Sequence, residues 1–204
     1  MQNLKMFIIF TCVSVGSLIH GVNPEKIVQT YRCLGHTMVE TLLRKKTDFG
    51  RLIEDKPVGL SLELKADKSE IGRLDVIDFA WREEGGSSAC IDNLAVRAMD
   101  QRKGVGSMLL GSALRRLETL QAQCVVTSYD DVDEDNLWGV RKDDDSAVEY
   151  DLVTRQLSDV TLRAQPDNPA DLEKLCNFYK KFGFESEGKQ GPNFRCMKKT
   201  FERQ

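Results

Sequence analysis

The sequence has little histidine, no closely spaced cysteine pair and no excess of positive charge. His20 and His36 are its only histidines, and its six cysteines include no Cys-x-x-Cys pair, so no metal site is expected. The net charge of -3 argues against a nucleic-acid partner, because phosphate backbones are bound by concentrated basic faces. With 41% hydrophobic residues, 204 residues can bury a core without disulfides, so we expect the cysteines to be small buried thiols.

The sequence also has no long apolar run near its N-terminus. The run at residues 6–19 is about 14 residues long, whereas a membrane helix needs about 20. It follows Lys5 and contains small residues, as a signal peptide does, yet its β-branched and aromatic residues also suit a buried strand. Residues 1–21 are therefore either a signal peptide or a first strand, and the protein is accordingly either secreted or cytoplasmic.

Residues 22–204 are expected to form one domain with alternating helices and strands. Asn23 and Pro24 suit a helix start, and apolar residues at helical spacing predict an amphipathic helix ending near Lys46. Alternation at residues 60–65, a turn at 67–72 and further apolar residues at 74–81 predict a hairpin.

A third strand is expected at residues 89–96, followed by a glycine-bearing turn and a helix from Val105 to about Ala122. Another strand is expected at 160–164 and a helix at 170–181, which Gly183 ends as a C-cap. Short strands at 184–187 and 194–198 close the chain. This order predicts an α/β (α+β) fold with a mixed sheet flanked by helices.

Residues 130–151 are rich in acidic side chains and lack a regular apolar period. This composition predicts an inserted, solvated loop. Its negative field could also concentrate cationic acceptors if its ends lie near the functional cleft. The sequence leaves both interpretations open.

The strongest functional signal is the turn Gln101-Arg102-Lys103-Gly104-Val105-Gly106 between a strand and a helix. Glycines allow the backbone to approach a ligand closely, and the free amides of the first helical turn face any anion placed above them. Arg102 and Lys103 add positive charge, and Ser107 adds a hydroxyl donor. The spacing differs from that of both the P-loop and the three-glycine dinucleotide fingerprint. We therefore expect a pyrophosphate-like ligand at this turn.

Together with the apolar strand 91–96, this turn resembles the acetyl-CoA motif Q/R-x-x-G-x-G/A of the GNAT superfamily of N-acetyltransferases. The later stretch 177–184, with Tyr179, Gly183 and Phe184, resembles the family's Y-x-x-x-G-F motif. The two motifs occur in the family's order, and the resemblance covers about residues 60–198. It implies a GNAT-like, mostly antiparallel sheet and transfer of an acetyl group from acetyl-CoA to a primary amine.

The resemblance also implies roles for individual residues. The backbone of Leu94, Ala95 and Val96 would pair with the pantetheine arm, and an N–H near Val96 would polarise the thioester carbonyl. The pyrophosphate would bind the turn that includes Gln101, Arg102, Lys103, Gly104, Val105, Gly106 and Ser107. Tyr179 would protonate the departing thiolate as a neutral phenol, although it could instead be a core residue.

A general base is also needed, and Asp92, Glu83 and Glu84 are the candidates, with water as an alternative. In an alternating strand Asp92 would share a face with Cys90 and Leu94 and so look into the cleft.

The chain departs from the family pattern in two respects. About 73 residues separate Gly106 from Tyr179, an excess that the acidic stretch explains. Leu172 stands where the family often has asparagine, and Asn168 lies upstream.

Two other functions fit the same sequence. A non-catalytic acyl-CoA sensor or interaction module would need only the backbone cradle, and a secreted effector would account for the apolar N-terminus. The acceptor is expected to be an amine, such as a cationic small molecule or peptide. The sequence specifies neither its identity nor an oligomeric state.

Overall fold

The computed structural model describes residues 23–49, 52–82, 86–128 and 149–202. Within them the chain forms nine strands and two α-helices. The strands are β1 Glu25–Cys33, β2 His36–Asp48, β3 Ile53–Ala66, β4 Ser69–Ala80, β5 Ser87–Val96, β6 Gln121–Ser128, β7 Glu149–Ala164, β8 Glu185–Gly191 and β9 Phe194–Thr200. The helices are α1 Val105–Glu118 and α2 Leu172–Lys180.

Eight strands lie side by side in the order β1-β2-β3-β4-β5-β7-β9-β8. Neighbouring strands are antiparallel, except that β5 and β7 are parallel. β6 pairs with β3 at one position and with the first half of β7 along its length. The expected fold class, a mixed and mostly antiparallel sheet flanked by helices, is confirmed.

The core forms where α1 packs against β3, β4 and β5. Leu109, Leu110 and Leu117 of α1 are fully buried, as are Leu62 and Leu74 of the sheet. Each such leucine stabilises the fold by about 1.5–3 kcal/mol relative to an exposed one. This packing fixes α1, so its N-terminus stays at the end of β5.

The helix expected from Pro24 to Lys46 is wrong, because these residues form the antiparallel hairpin β1–β2. The two strands meet at Leu34 and Gly35, whose φ angles are 46° and 84°. Two consecutive positive φ angles are typical of the tightest hairpin turns, and glycine adopts such an angle without strain.

The spacing of apolar residues in this segment suggested a helix because residues four apart lie on the same face in a helix and in a strand alike. Met38 and Leu42 are both buried, and the residue between them on the same face is Glu40. Glu40 is buried beside Arg116 of α1, with Nε to Oε1 at 2.7 Å. A polar residue on the inward face thus concealed the alternation of period two, leaving a spacing typical of a helix.

Two further boundaries differ from expectation. α1 ends at Glu118 rather than near Ala122, because the Thr119 hydroxyl donates to the carbonyls of Arg115 and Arg116 at the helix end. Ala122 belongs instead to β6, a strand that was not predicted. β7 begins at Glu149, so the end of the acidic stretch is strand.

Several expectations fall outside the described residues. These are the nature of residues 1–21, the carboxylates Glu83 and Glu84, and most of the acidic stretch.

Of the described cysteines, all are free; Cys124 and Cys176 are buried, and the other three are half-buried. Neither described helix is long and apolar enough to cross a membrane.

Candidate cofactor and acceptor clefts

The turn between β5 and α1 is shaped by backbone angles that favour ligand binding. Gly104 is the N-cap of α1 with φ of 84°, and Arg102 also has a positive φ, 61°. The first helical hydrogen bond runs from the Met108 amide to the Gly104 carbonyl at 2.9 Å. The preceding amides of residues 105–107 therefore stand at the open end of the helix, where the helix dipole is positive.

Ion pairs within the turn hold it in this shape. The Asp100 carboxylate accepts from Arg97 at 2.5 Å and pairs with Lys103 at 3.3 Å. The Arg97 guanidinium, and then Lys103, hold the pKa of Asp100 below its usual range, so the pairs persist at neutral pH. The sequence analysis did not single out Asp100, although its spacing of three residues from both Arg97 and Lys103 was a signal of these ion pairs. Lys103, expected to face a phosphate, is engaged with Asp100 instead.

A cleft of about 530 Å³, called here the first cleft, opens beside this turn. Most of the cofactor residues expected from the sequence line it, while Ala95 and Lys103 do not. Two lining residues of α2 were not expected: Leu175 and Phe178. The lining residues are Leu94, Val96, Gln101, Arg102, Gly104, Val105, Gly106, Ser107, Leu175, Phe178 and Tyr179. The first cleft therefore combines an apolar wall with the open end of α1.

Tyr179 lies on the α2 side of the first cleft and is only 7% exposed. Its ring packs edge-on against Phe178 and Phe184, with centroids 5.2 and 5.9 Å apart. Burial raises its pKa to about 12, so the phenol is neutral at any working pH. Among the described residues, none makes a hydrogen bond to its hydroxyl.

The later motif around Tyr179 also has the expected backbone conformation, a helix that ends at a glycine. α2 is followed by Gly183 with φ of 83°, and the Phe184 amide donates to the Tyr179 carbonyl at 3.4 Å. Gly183 thus ends the helix as predicted.

The two residues that depart from the family pattern have structural roles. Leu172 is buried in the core, and Asn168 caps the short 3-10 helix Pro169–Asp171 by accepting from the Ala170 amide. Neither of these two residues lines the first cleft.

Asp92 lies at an irregularity in β5 that the sequence did not predict. Asp75 and Val76 of β4 pair with Asn93 and Ile91, so Asp92 is an extra residue in β5. Such a bulge shifts the alternation by one residue. The expectation that Asp92 shares a face with Leu94 is therefore wrong: Leu94 lines the first cleft and the exposed Asp92 does not.

Asp92 lines a different cleft of about 490 Å³, called here the second cleft. It forms where β5 and β7 separate, since their last paired residues are Ile91 and Leu162. The residues that line it are Cys90, Ile91, Asp92, Arg163, Gln165, Pro166 and Asp167. Leu94 is only two residues from Asp92 on β5, about 7 Å along the strand. The two clefts thus lie on either side of the bulge.

The acidic stretch leaves the sheet far from both clefts. Ser128, just before the stretch, pairs with Glu149, near its end, at the start of β7, whereas the second cleft lies at the other end of β7. β7 has 16 residues, up to about 50 Å of strand at about 3.3 Å per residue. The expectation that both ends of this stretch lie near the functional cleft is wrong.

This chain resembles known proteins in structure but matches none of them by sequence. No protein-family model matches the sequence, and no curated protein matches it. Among solved structures, the chain is similar to PH1933 from Pyrococcus horikoshii, with 19% identity, a TM-score of 0.44, and coverage of 70% of this chain and 66% of that one.

Two further solved structures are similar to this chain. Arabidopsis thaliana Naa50, in complex with the bisubstrate analogue CoA-Ac-MVNAL, has 18% identity and a TM-score of 0.44, over 69% of this chain and 72% of that one. The ribosomal-protein-S18-alanine N-acetyltransferase of Escherichia coli has 14% identity and a TM-score of 0.42, over 72% and 71%. The likeness of the chain to these structures is one of fold alone.

Proposed function

We propose that this protein is a GNAT-type N-acetyltransferase that transfers an acetyl group from acetyl-CoA to a primary amine. One observation carries the proposal: the glycine turn, the open end of α1 and Tyr179 all line the first cleft. The two sequence motifs that resemble the family contain these residues, although the motifs are far apart in the chain.

The residues of the first cleft fit acetyl-CoA. A Cβ atom built on Gly104 would have no neighbour within 4 Å, so the backbone there faces open space in which a phosphate can approach the amides. Arg102 has no ion pair among the described residues, which leaves its guanidinium for phosphate oxygens. Leu94, Leu175 and Phe178 provide an apolar wall for the pantetheine arm.

Acetyl-CoA supplies the thioester whose carbonyl carbon the amine attacks. Asp92 or water accepts a proton from the ammonium, and the nitrogen lone pair forms the C–N bond. As the C–S bond breaks, its electron pair stays on sulfur. The Tyr179 hydroxyl donates a hydrogen bond to that sulfur and passes its proton there, while the tyrosine takes up the second amine proton. The products are the amide, the free thiol and one proton released to solvent.

The raised pKa of Tyr179 refines this role. At about 12 it exceeds the ordinary thiol value of about 8.5, so the phenol is the weaker acid. Full transfer to the thiolate is therefore favourable only when the amine proton replaces the one that tyrosine loses. In our proposal Tyr179 is therefore neutral throughout the working pH range, and it gives its proton to the sulfur only as the amine proton arrives.

The test is incubation of the full chain with labelled acetyl-CoA and a panel of amino acids, short peptides, polyamines and aminoglycosides. We expect at least one amine to gain the label, and a Tyr179→Phe variant to bind CoA but transfer slowly. Tight CoA binding with no transfer to any amine would instead favour the non-catalytic acyl-CoA sensor, because the backbone cradle alone accounts for binding.

A further inference from the structure

The second cleft carries charges of both signs that no other described residue neutralises. Asp92 comes from the bulge of β5, and Arg163 and Asp167 come from the end of β7 and the segment after it. None of the three takes part in an ion pair or a side-chain hydrogen bond within the described part of the chain. Unpaired charges around a cleft are available for a ligand of complementary charge.

Arg163 packs on an aromatic ring, although it lacks an acidic partner among the described residues. Its guanidinium carbon lies 4.0 Å from the centre of the Phe194 ring, an arrangement of the cation–π type. This contact orients the planar group without neutralising its charge. A planar guanidinium favours a carboxylate, which it can bind through two parallel hydrogen bonds.

From this arrangement we infer that the second cleft binds small amine acceptors that also carry a carboxylate, such as free amino acids or short peptides. Asp92 and Asp167 hold the ammonium group, and Arg163 holds the carboxylate. This inference rests on the proposed acetyl transfer and specifies its substrate class. A polycation fits less well, because Arg163 would repel its second positive charge.

Position and size agree with this assignment. Asp92 is two residues from Leu94 of the first cleft, and both lie beyond Ile91, where β5 no longer pairs with β7. A volume of about 490 Å³ is within the range of small-molecule sites, roughly 300–1,000 Å³. The cleft therefore accommodates an amino acid or dipeptide.

The first test compares acceptors that differ only in the carboxylate: alanine with alaninamide, and alanylalanine with its C-terminal amide. For each pair, the ratio of kcat/KM between free acid and amide is measured in the wild type and in Arg163→Gln. We expect the substitution to lower this ratio roughly 10- to 100-fold, because a charge-assisted hydrogen bond is lost. Comparing ratios between variants cancels the difference in amine pKa within a pair.

Two control variants accompany this test. Arg32→Gln removes an exposed arginine from β1, at the edge of the sheet, and we expect its ratio to equal that of the wild type. Arg163→Lys keeps the charge, so most of the preference for the free acid returns. An unchanged ratio in Arg163→Gln, or faster transfer to spermidine than to any free acid, would overturn the inference.

A second measurement separates this inference from the proposed function. Alanylalanine and its amide are titrated calorimetrically into the chain saturated with CoA. Tighter binding of the free acid, lost in Arg163→Gln, supports the inference even if no amine is ever acetylated, in which case only the proposed catalysis fails. Equal binding of acid and amide contradicts the inference whatever the outcome of the transfer assay.

Discussion

The two clefts differ in how the fold builds them. The first cleft lies between two helices and the end of β5, with the open end of α1 on one side and Phe178 and Tyr179 of α2 on another. The second lies between strand ends and is lined mainly by polar and charged side chains. The helical cleft suits a long ligand with an anionic and an apolar part, whereas the strand-end cleft suits a small charged one. Changes in one cleft should therefore leave binding in the other nearly intact.

The largest expected effect is that of Tyr179→Phe in the first cleft. The ring keeps its contacts with Phe178 and Phe184, while the donor to the sulfur is lost. We expect kcat to fall by about 10- to 10⁴-fold, with little change in the affinity for CoA. Steady-state kinetics and calorimetry measure the two quantities. An unaltered kcat where chemistry limits turnover would assign Tyr179 to the core alone.

The pH dependence of the wild type tests the same residue. Because the pKa of Tyr179 is raised to about 12, its neutral form persists through the whole neutral and mildly alkaline range. The rate should therefore rise with pH as the acceptor amine deprotonates, and no fall from tyrosine ionisation should occur below about pH 11. A fall near pH 9 that disappears in Tyr179→Phe would contradict the buried, neutral phenol.

A smaller effect is expected from Asp92→Asn in the second cleft. The variant removes a proton acceptor and a partner for the ammonium, so kcat/KM for the amine should fall about 10- to 100-fold while CoA affinity stays unchanged. Asp151→Asn is the matched control, because Asp151 is an exposed carboxylate near the start of β7 that does not line the second cleft. Equal activity of the two variants would leave proton removal to water.

The smallest expected effect distinguishes two glycines of the first cleft. Gly104 has φ of 84°, so alanine there should lower the free energy of unfolding by about 1–2 kcal/mol. Gly106 is the second residue of α1, and its added Cβ would lie at an ordinary 3.7 Å from Phe178 and Val96. Gly106→Ala should raise stability by about 0.5–1 kcal/mol. Thermal unfolding of both variants measures this, and equal shifts would contradict the left-handed geometry of Gly104.

The first cleft was predictable from the sequence because its shape depends on backbone signals. Gly104 and Gly183 mark positions of positive φ, and each lies beside a clear helix. The second cleft was not predictable, because the bulge at Asp92 depends on pairing with β4, a contact between distant parts of the chain. The hairpin β1–β2 was missed for a similar reason: Glu40 is buried only because Arg116, 76 residues later, neutralises it.

The most direct test of the central claim is calorimetric titration of CoA into the wild type, Gly104→Glu and Gly104→Gln. The two variants have nearly the same shape and the same backbone strain, and they differ in one negative charge. If a pyrophosphate lies above the turn, a carboxylate there repels it, by about 4 kcal/mol for unit charges 4 Å apart near a protein surface. We predict that Gly104→Glu binds CoA at least tenfold more weakly than Gly104→Gln, with both variants folded. Equal affinities in the two variants, at the wild-type value, would contradict a phosphate site at this turn.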